Sequence, residues 1–194
     1  MPTRSHTTRL PLDRFLRGRG RRRWTYTAIT LLVALLLMWV DRAGLLLGSG
    51  GDMARYNGKT FTVVRVIDGD TLDIDAPDGS ERTTRIRLWG VDTPEMAKRD
   101  PPQPAEPFAE EATALTQSLA EGRNVRLTLE EHRTRGDHGR LLAFVELPDG
   151  TLLNGALIRA GLSPADDRWS HRHIKRFDEA QRQARGEQIG LWGP

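Results

Sequence analysis

At 194 residues, with 29 basic side chains, 26 acidic ones and no cysteine, the chain has room for a short appendage and one domain of roughly 130–140 residues. The lack of cysteine excludes a disulfide framework, a thiolate zinc site and a cysteine nucleophile. The net charge of +3 is unevenly spread: residues 1–23 hold eight Arg and one acid, Asp13, for +7, so 29 less 8 basic and 26 less 1 acidic groups leave −4 on residues 24–194; bulk charge there does not hold nucleic acid, and any such activity needs a local site.

The first 23 residues read as a basic arm. Trp24 to Val40 follow as seventeen uncharged residues rich in Leu, Ile, Val and Ala, at the lower limit of about 17 for a membrane-spanning helix. Trp24, Tyr26 and Trp39 lie near the ends of this run, where amphipathic aromatics favour the membrane interface. With eight arginines ahead and only Arg42 close behind, residues 24–40 are predicted to be a signal-anchor helix. It leaves the N-terminus in the cytoplasm and the rest of this single-pass chain outside it. A cleaved leader and a secreted product form the rival reading, but Asp41-Arg42-Ala43-Gly44 is a poor cleavage site. Residues 41–58, with Gly48-Ser49-Gly50-Gly51, read as a flexible linker, and 59–194 as the folded domain.

From Thr60 the pattern turns to period two with β-branched residues. Strands are predicted over Thr60–Ile67, Thr71–Asp75 and Arg82–Trp89, the last with Arg85 and Arg87 on one face and Ile86 and Leu88 on the other. Thr93-Pro94-Glu95 reads as a helix or turn start with Thr93 as N-cap, and Pro101, Pro102, Pro104 and Pro107 as a stiff loop. Phe108, Ala112, Leu115 and Leu119 recur at helical spacing up to Gly122. Two more strands are expected over Asn124–Glu130 and Arg140–Leu147, then helices over Leu152–Ala160 and Ile174–Gln188. Five strands with three helices suggest a closed barrel, which leaves no exposed sheet edge.

Four motifs stand in order along this frame: Val66-Ile67-Asp68-Gly69-Asp70-Thr71, Arg85-Ile86-Arg87-Leu88-Trp89-Gly90, Val91-Asp92-Thr93-Pro94-Glu95 and Asp137-His138-Gly139-Arg140. Asp70 and Asp92, with the Thr93 carbonyl and with Asp68 through water, supply the oxygen donors that hard divalent cations prefer. Glu95 is placed to take a proton from an attacking water, and Arg87 and Arg140 to hold phosphate oxygens. Taken singly, each motif has a plainer reading: an Asp-Gly-Asp turn, a Thr-Pro-Glu helix start, an Asp-x-Gly-Arg hairpin. Order and spacing together point to chemistry on a phosphodiester. His171-Arg172-His173 reads as a solvated pair, with no third metal ligand nearby in sequence.

These residues make the chain resemble the staphylococcal nuclease (thermonuclease) family from about Thr60 to Trp192, including Leu141-Leu142-Ala143-Phe144-Val145 and the closing Gly190-Leu191-Trp192. The resemblance implies an α+β class, an OB-fold five-stranded β-barrel with three helices, here preceded by one transmembrane helix. It implies a calcium-dependent nuclease that hydrolyses DNA or RNA, endonucleolytically, to 3′-phosphate products; the oxygen ligands alone also admit Mg²⁺. Carried over by position, Asp70, Asp92 and the Thr93 carbonyl would bind calcium with Asp68 in the outer shell, Glu95 would be the general base, and Arg87 and Arg140 the phosphate arginines; Arg85 matches no catalytic position. The family's Tyr before Gly-Arg is His138 here, and its Tyr-containing stretch is replaced by Ser163–Trp169, leaving Trp169, as a stacking platform, and His138 as the substrate-binding candidates. Nucleic acid and, through residues 24–40, the membrane are the expected partners; no protein partner is inferred. The alternatives are a non-catalytic OB-fold nucleic-acid-binding module and a membrane-tethered protein-interaction module. The first has no use for four carboxylates that repel phosphate.

Overall fold

The computed structural model describes residues 26, 29–36 and 48–194. Residues 29–36 are helical and exposed. Among the described residues no helix is long and apolar enough to cross a membrane. The basic arm and the rest of the expected 24–40 anchor lie outside the described residues. The chain divides into a unit spanning 1–47 and a unit spanning Gly48–Pro194.

The second unit opens with α1 (Gly48–Tyr56), followed by β1 (Thr60–Asp68), β2 (Thr71–Ile74), β3 (Thr84–Leu88), and the short strands β4 (Lys98–Arg99) and β5 (Pro102–Gln103). Next come α2 (Ala109–Ala120), β6 (Asn124–Thr128), β7 (Leu141–Glu146), α3 (Leu153–Arg159), α4 (Ile174–Gly186) and a 3₁₀ turn, Gly190–Trp192. Five strands close into a barrel in the order β1-β2-β3-β7-β6, and β4 and β5 form a separate hairpin. The architecture is a closed five-stranded barrel with helices, consistent with the OB-fold. In β3 the expected alternation holds: Thr84, Ile86 and Leu88 are buried while Arg85 and Arg87 face the other way. Val63, Leu72, Ile74, Leu127 and Phe144 fill the interior with no exposed surface. Each such side chain contributes about 1.5–3 kcal/mol by leaving water.

Register carries the site. The β1–β2 hairpin closes with Asp68 opposite Thr71, leaving Gly69-Asp70 at its tip. Across the sheet Thr71 pairs with Arg87, and Arg87 pairs in parallel with Leu142, two residues past Arg140. Strand pairing therefore gathers three of the four motifs at one end of the barrel.

Three expectations of local structure give way to tertiary contacts. The glycine-rich run expected as linker is, from Gly48, helix α1. Glycine is a poor helix former, but the second half of α1 is anchored: Tyr56 is fully buried and its hydroxyl pairs with Thr84 Oγ1 at 3.0 Å. The Gly48–Pro194 unit thus holds four α-helices where three were expected. Thr93-Pro94-Glu95 starts no helix, because Thr93 spends its N–H and hydroxyl on the Asp70 carboxylate at 2.9 and 3.0 Å. The proline-rich segment contains the β4–β5 hairpin, with Lys98 opposite Gln103.

Candidate active site

Arg87 is the hub. Its Nη1 pairs with Asp70 Oδ2 and its Nη2 donates to Asp92 Oδ1 at 2.7 Å, while its own side chain is only 16% exposed. Burial pushes the Arg87 pKa down; Asp92 opposes this and the nearby Arg140 charge adds to it. Asp70, itself buried, accepts from the Thr93 N–H and hydroxyl on Oδ2 and from the Thr71 hydroxyl on Oδ1. Arg140 reaches the same cluster, with Nη1 donating to Thr71 Oγ1 at 3.5 Å. Asp68 Oδ1 accepts the Asp70 N–H at 3.1 Å, tying the two acids of the first motif together. Asp68, Asp70, Thr93, Asp92, Arg87 and Arg140 thus stand together, linked directly or through one intervening residue.

The donors fit a hard cation in kind. Two carboxylates converge on one positive group, the acceptors there are oxygens, and the chain has no thiol. Among the described residues no three His, Cys, Asp or Glu side chains cluster closely enough to hold an ion by themselves, so any cation at Asp70 and Asp92 takes further oxygens from backbone, water or substrate.

Second contacts fix the two loops that carry these acids. Thr116 of α2 donates to the Gly69 carbonyl at 2.6 Å. Gly69 is needed here for room and not for a left-handed backbone: a Cβ would lie 2.8 Å from Ala112 Cβ and from Thr93 Oγ1, and its φ is not positive. On the other loop, Ser163 Oγ accepts the Asp92 N–H at 2.9 Å. Arg168 Nη2 donates to Asp92 Oδ2 at 3.1 Å and to Asp166 Oδ2 at 2.7 Å. Burial works against ionisation of Asp166, yet Arg168's hydrogen bonds and charge outweigh it and hold that carboxyl below the usual carboxylate range. Asn154 of α3, fully buried, spans from β7 to the Trp89 carbonyl. None of Ser163, Thr116, Asn154 and Arg168 was singled out by sequence, since a lone Ser, Thr or Asn in a helix or loop reads as surface.

Glu95 stands at the rim. Its carboxylate lies 3.3 Å from Lys98 Nζ and its N–H donates to Glu106 at 2.9 Å; among the described residues it makes no hydrogen bond to Asp70, Arg87 or Asp92. Trp169 is 53% exposed, with the Arg133 guanidinium 4.0 Å above its ring. His138 is exposed on the turn that carries Arg140. Arg85 is half-exposed and, with Arg65, clamps buried Asp73.

The His171–His173 pair is not solvated as expected. His171 is 8% exposed, packed against Phe144 and Phe177, and a Cβ on Gly90 would meet its Nε2 at 2.7 Å. The segment leading into helix α4 seats these rings against Phe144 and against Phe177 of that helix, which local sequence does not reveal. Burial pushes the His171 pKa below its ordinary 6.5, and burial followed by the Arg176 and Arg172 charges does the same for His173. Above pH 6.5 neither the folded nor the unfolded chain protonates these rings appreciably. Below it the unfolded chain takes up protons that the fold resists, so stability falls as pH drops from 6.5 towards the lowered values. A urea-unfolding series is expected to show the midpoint dropping as the pH is lowered below about 6.5, with His171→Asn flattening part of that slope. A wild-type midpoint constant across this range would contradict it.

A family model described as staphylococcal nuclease homologue matches residues 85–194. The thermonuclease of Staphylococcus hyicus is 31% identical over 165 residues, spanning 84% of this chain and 92% of its own length. The thermonuclease of Staphylococcus intermedius is 33% identical over 165 residues, spanning 83% and 90%. An uncharacterized endonuclease of Escherichia coli is 32% identical over 130 residues, spanning 67% and 74%.

Proposed function

The chain belongs to the staphylococcal nuclease homologue family and is a nuclease, and from that premise we propose that it is a calcium-dependent endonuclease cutting DNA or RNA to 3′-phosphate ends, tethered to a membrane by residues 24–40. The observation that carries the reading is the shared guanidinium of Arg87 between Asp70 and Asp92, with Arg140 one residue away through Thr71. A non-catalytic binder has no use for acids at the centre of its basic groups.

In this reading Asp70, Asp92 and the Thr93 carbonyl hold the cation, with Asp68 behind them. A bound Ca²⁺ supplies Lewis-acid polarisation of the phosphate and Mg²⁺ offers the same oxygen chemistry. Arg87 and Arg140 hold the non-bridging phosphate oxygens, where negative charge grows as the bond breaks. Glu95 takes the proton from the attacking water, with Lys98 Nζ 3.3 Å from its carboxylate. The hydrogen bonds from Thr93 and Thr71 keep Asp70 aimed while the phosphate binds. Trp169, stacked under Arg133 at the rim, offers a face to an unpaired base, and His138 lies on the turn beside Arg140.

The full chain is expected to digest single-stranded DNA in Ca²⁺, to lose that activity in excess chelator, and to leave fragments that phosphatase treatment of their 3′ ends makes extendable. Equal rates with and without chelator would remove the metal from the proposal. Fragments already extendable would remove the 3′-phosphate assignment. Recovery of the chain in the soluble fraction of its host cell would remove the anchor.

A further inference from the structure

We propose that Asp52 and Arg135 are positioning residues for Arg140, so that the helix leading into the barrel sets the aim of one of the two phosphate-facing arginines; this rests on the reading of Arg140 given above. Arg140 itself is weakly held. Its guanidinium has one side-chain partner among the described residues, Thr71 Oγ1, at the long distance of 3.5 Å. Its direction must therefore come from its backbone, and that backbone is a turn whose outer residues Asp137, His138 and Gly139 are exposed.

Arg135 pins this turn. Its Nε and Nη2 donate to the two oxygens of Asp52 on α1, at 2.8 and 2.7 Å. Its Nη1 and Nη2 donate to the two oxygens of Asp78, in the β2–β3 connection, at 2.6 and 3.2 Å. The last hydrogen, on Nη1, goes to the Gly139 carbonyl at 2.9 Å. A guanidinium has five N–H groups, and here every one has an acceptor. Three segments far apart in sequence meet at this one side chain, which is 30% exposed while Asp52 is 13% exposed. The Gly139 carbonyl belongs to the peptide that joins Gly139 to Arg140, so the fifth hydrogen bond fixes the plane from which Arg140 departs. Gly139 is left-handed at φ 74°, a conformation that its missing Cβ permits and does not enforce. Thr134 completes the joint by donating to Asp52 Oδ2 at 2.9 Å.

Bidentate pairing at both acids gives this joint a set orientation as well as energy. Lysine, with three donors around one nitrogen, has no means of spanning the same acceptors. Helix α1 therefore does more than cover the barrel: Asp52 is its handle on the turn that carries Arg140.

The test is a set of double-mutant cycles on the full-length chain with single-stranded DNA and Ca²⁺, reading kcat and KM together with thermal unfolding. Asp52→Asn and Arg135→Gln are each expected to lower kcat by about 10–10²-fold, the range that misplacement of a positioned group produces, with KM moving less than about threefold. In an Arg140→Ala background neither is expected to lower kcat by more than about twofold further, while any loss of melting temperature persists. A purely structural joint gives the same fold-loss in both backgrounds, and that result would overturn the inference. So would an Asp52→Asn chain with kcat within about twofold of wild type beside an inactive Arg140→Ala; Asp52→Asn decides the matter if Arg135→Gln does not fold. An Arg140→Ala chain of undiminished activity would instead bring down the reading of Arg140, and this inference with it.

Discussion

Replacing Arg87 by alanine is expected to lower the rate of phosphodiester cleavage by about 10²–10³-fold, the usual cost of removing one preorganised donor from a developing oxyanion. Two effects act together. The guanidinium proposed to meet the growing phosphate charge is gone, and Asp70 and Asp92 lose the positive group they share. Asp70 keeps its hydrogen bonds from Thr93 and Thr71, so its loop is expected to stay in place and the loss to appear in kcat more than in folding. Arg87→Lys is the informative companion. An ammonium restores charge but has no fork with which to reach both carboxylates and a phosphate, so it is expected to recover only part of the rate. Initial rates on single-stranded DNA, normalised to folded protein by circular dichroism, decide the matter. A loss below about tenfold in Arg87→Ala would place the chemistry elsewhere.

Asn154→Ala is expected to be the most damaging single change to the fold outside the apolar core. Asn154 has no exposed surface. Its Oδ1 accepts the Val145 N–H at 3.0 Å, and its Nδ2 donates to the carbonyls of Trp89 at 2.8 Å and Ala143 at 3.3 Å. Ala143 has a second donor, the Trp89 N–H at 2.9 Å, so alanine orphans two buried groups, the Val145 N–H and the Trp89 carbonyl. At about 1–3 kcal/mol each, the loss is about 2–6 kcal/mol. For a domain of this size that lowers the melting temperature by several degrees or more, at roughly 2–4 °C per kcal/mol. Activity is expected to fall too, because Trp89 leads directly into Gly90-Val91-Asp92. Asn154→Asp separates the two groups: its carboxylate still accepts from Val145 but has no hydrogen to offer Trp89. Urea unfolding of both variants is the measurement, and a midpoint shift worth less than about 1 kcal/mol in Asn154→Ala would show that water satisfies these groups.

Much of the barrel and the acidic–basic cluster at its end is legible in the sequence. Thr84–Leu88, inside the predicted 82–89, alternates with period two because one face of the strand meets the core, and burial of that kind is written locally; β2 is buried throughout and β1 shifts register between Val63 and Arg65, which local pattern does not show. The motifs of Asp70, Arg87, Asp92 and Arg140 were legible in their order and spacing, but it is the antiparallel β2–β3 and parallel β3–β7 pairings that bring Arg87 beside Asp70 and Arg140 to the same rim. What sequence left dark were contacts between distant segments made by residues that look ordinary nearby. Asp52 and Arg135 meet across 83 positions, Asp92 and Ser163 across 71, and Trp89 and Asn154 across 65. Each is one polar atom satisfying another, with no period or composition to announce it.

The same division explains the misread segments. Helical and β propensities placed α2, α3 and α4 close to their observed bounds, because an amphipathic stripe or a terminal glycine such as Gly122 or Gly161 acts within a few residues. They failed at Gly48–Tyr56, where Tyr56 and Asp52 stabilise a helix that glycine disfavours. They failed at Thr93, where the Asp70 carboxylate outbids a local helix cap, and at His171, which the aromatic core buries. The primary structure by itself determined the barrel, the family and the chemical kinds of side chain available. Only the folded chain decided which of those side chains face one another and which loops hold them there, because hydrogen-bond satisfaction inside a core is a property of distance in space and leaves no trace in neighbouring residues.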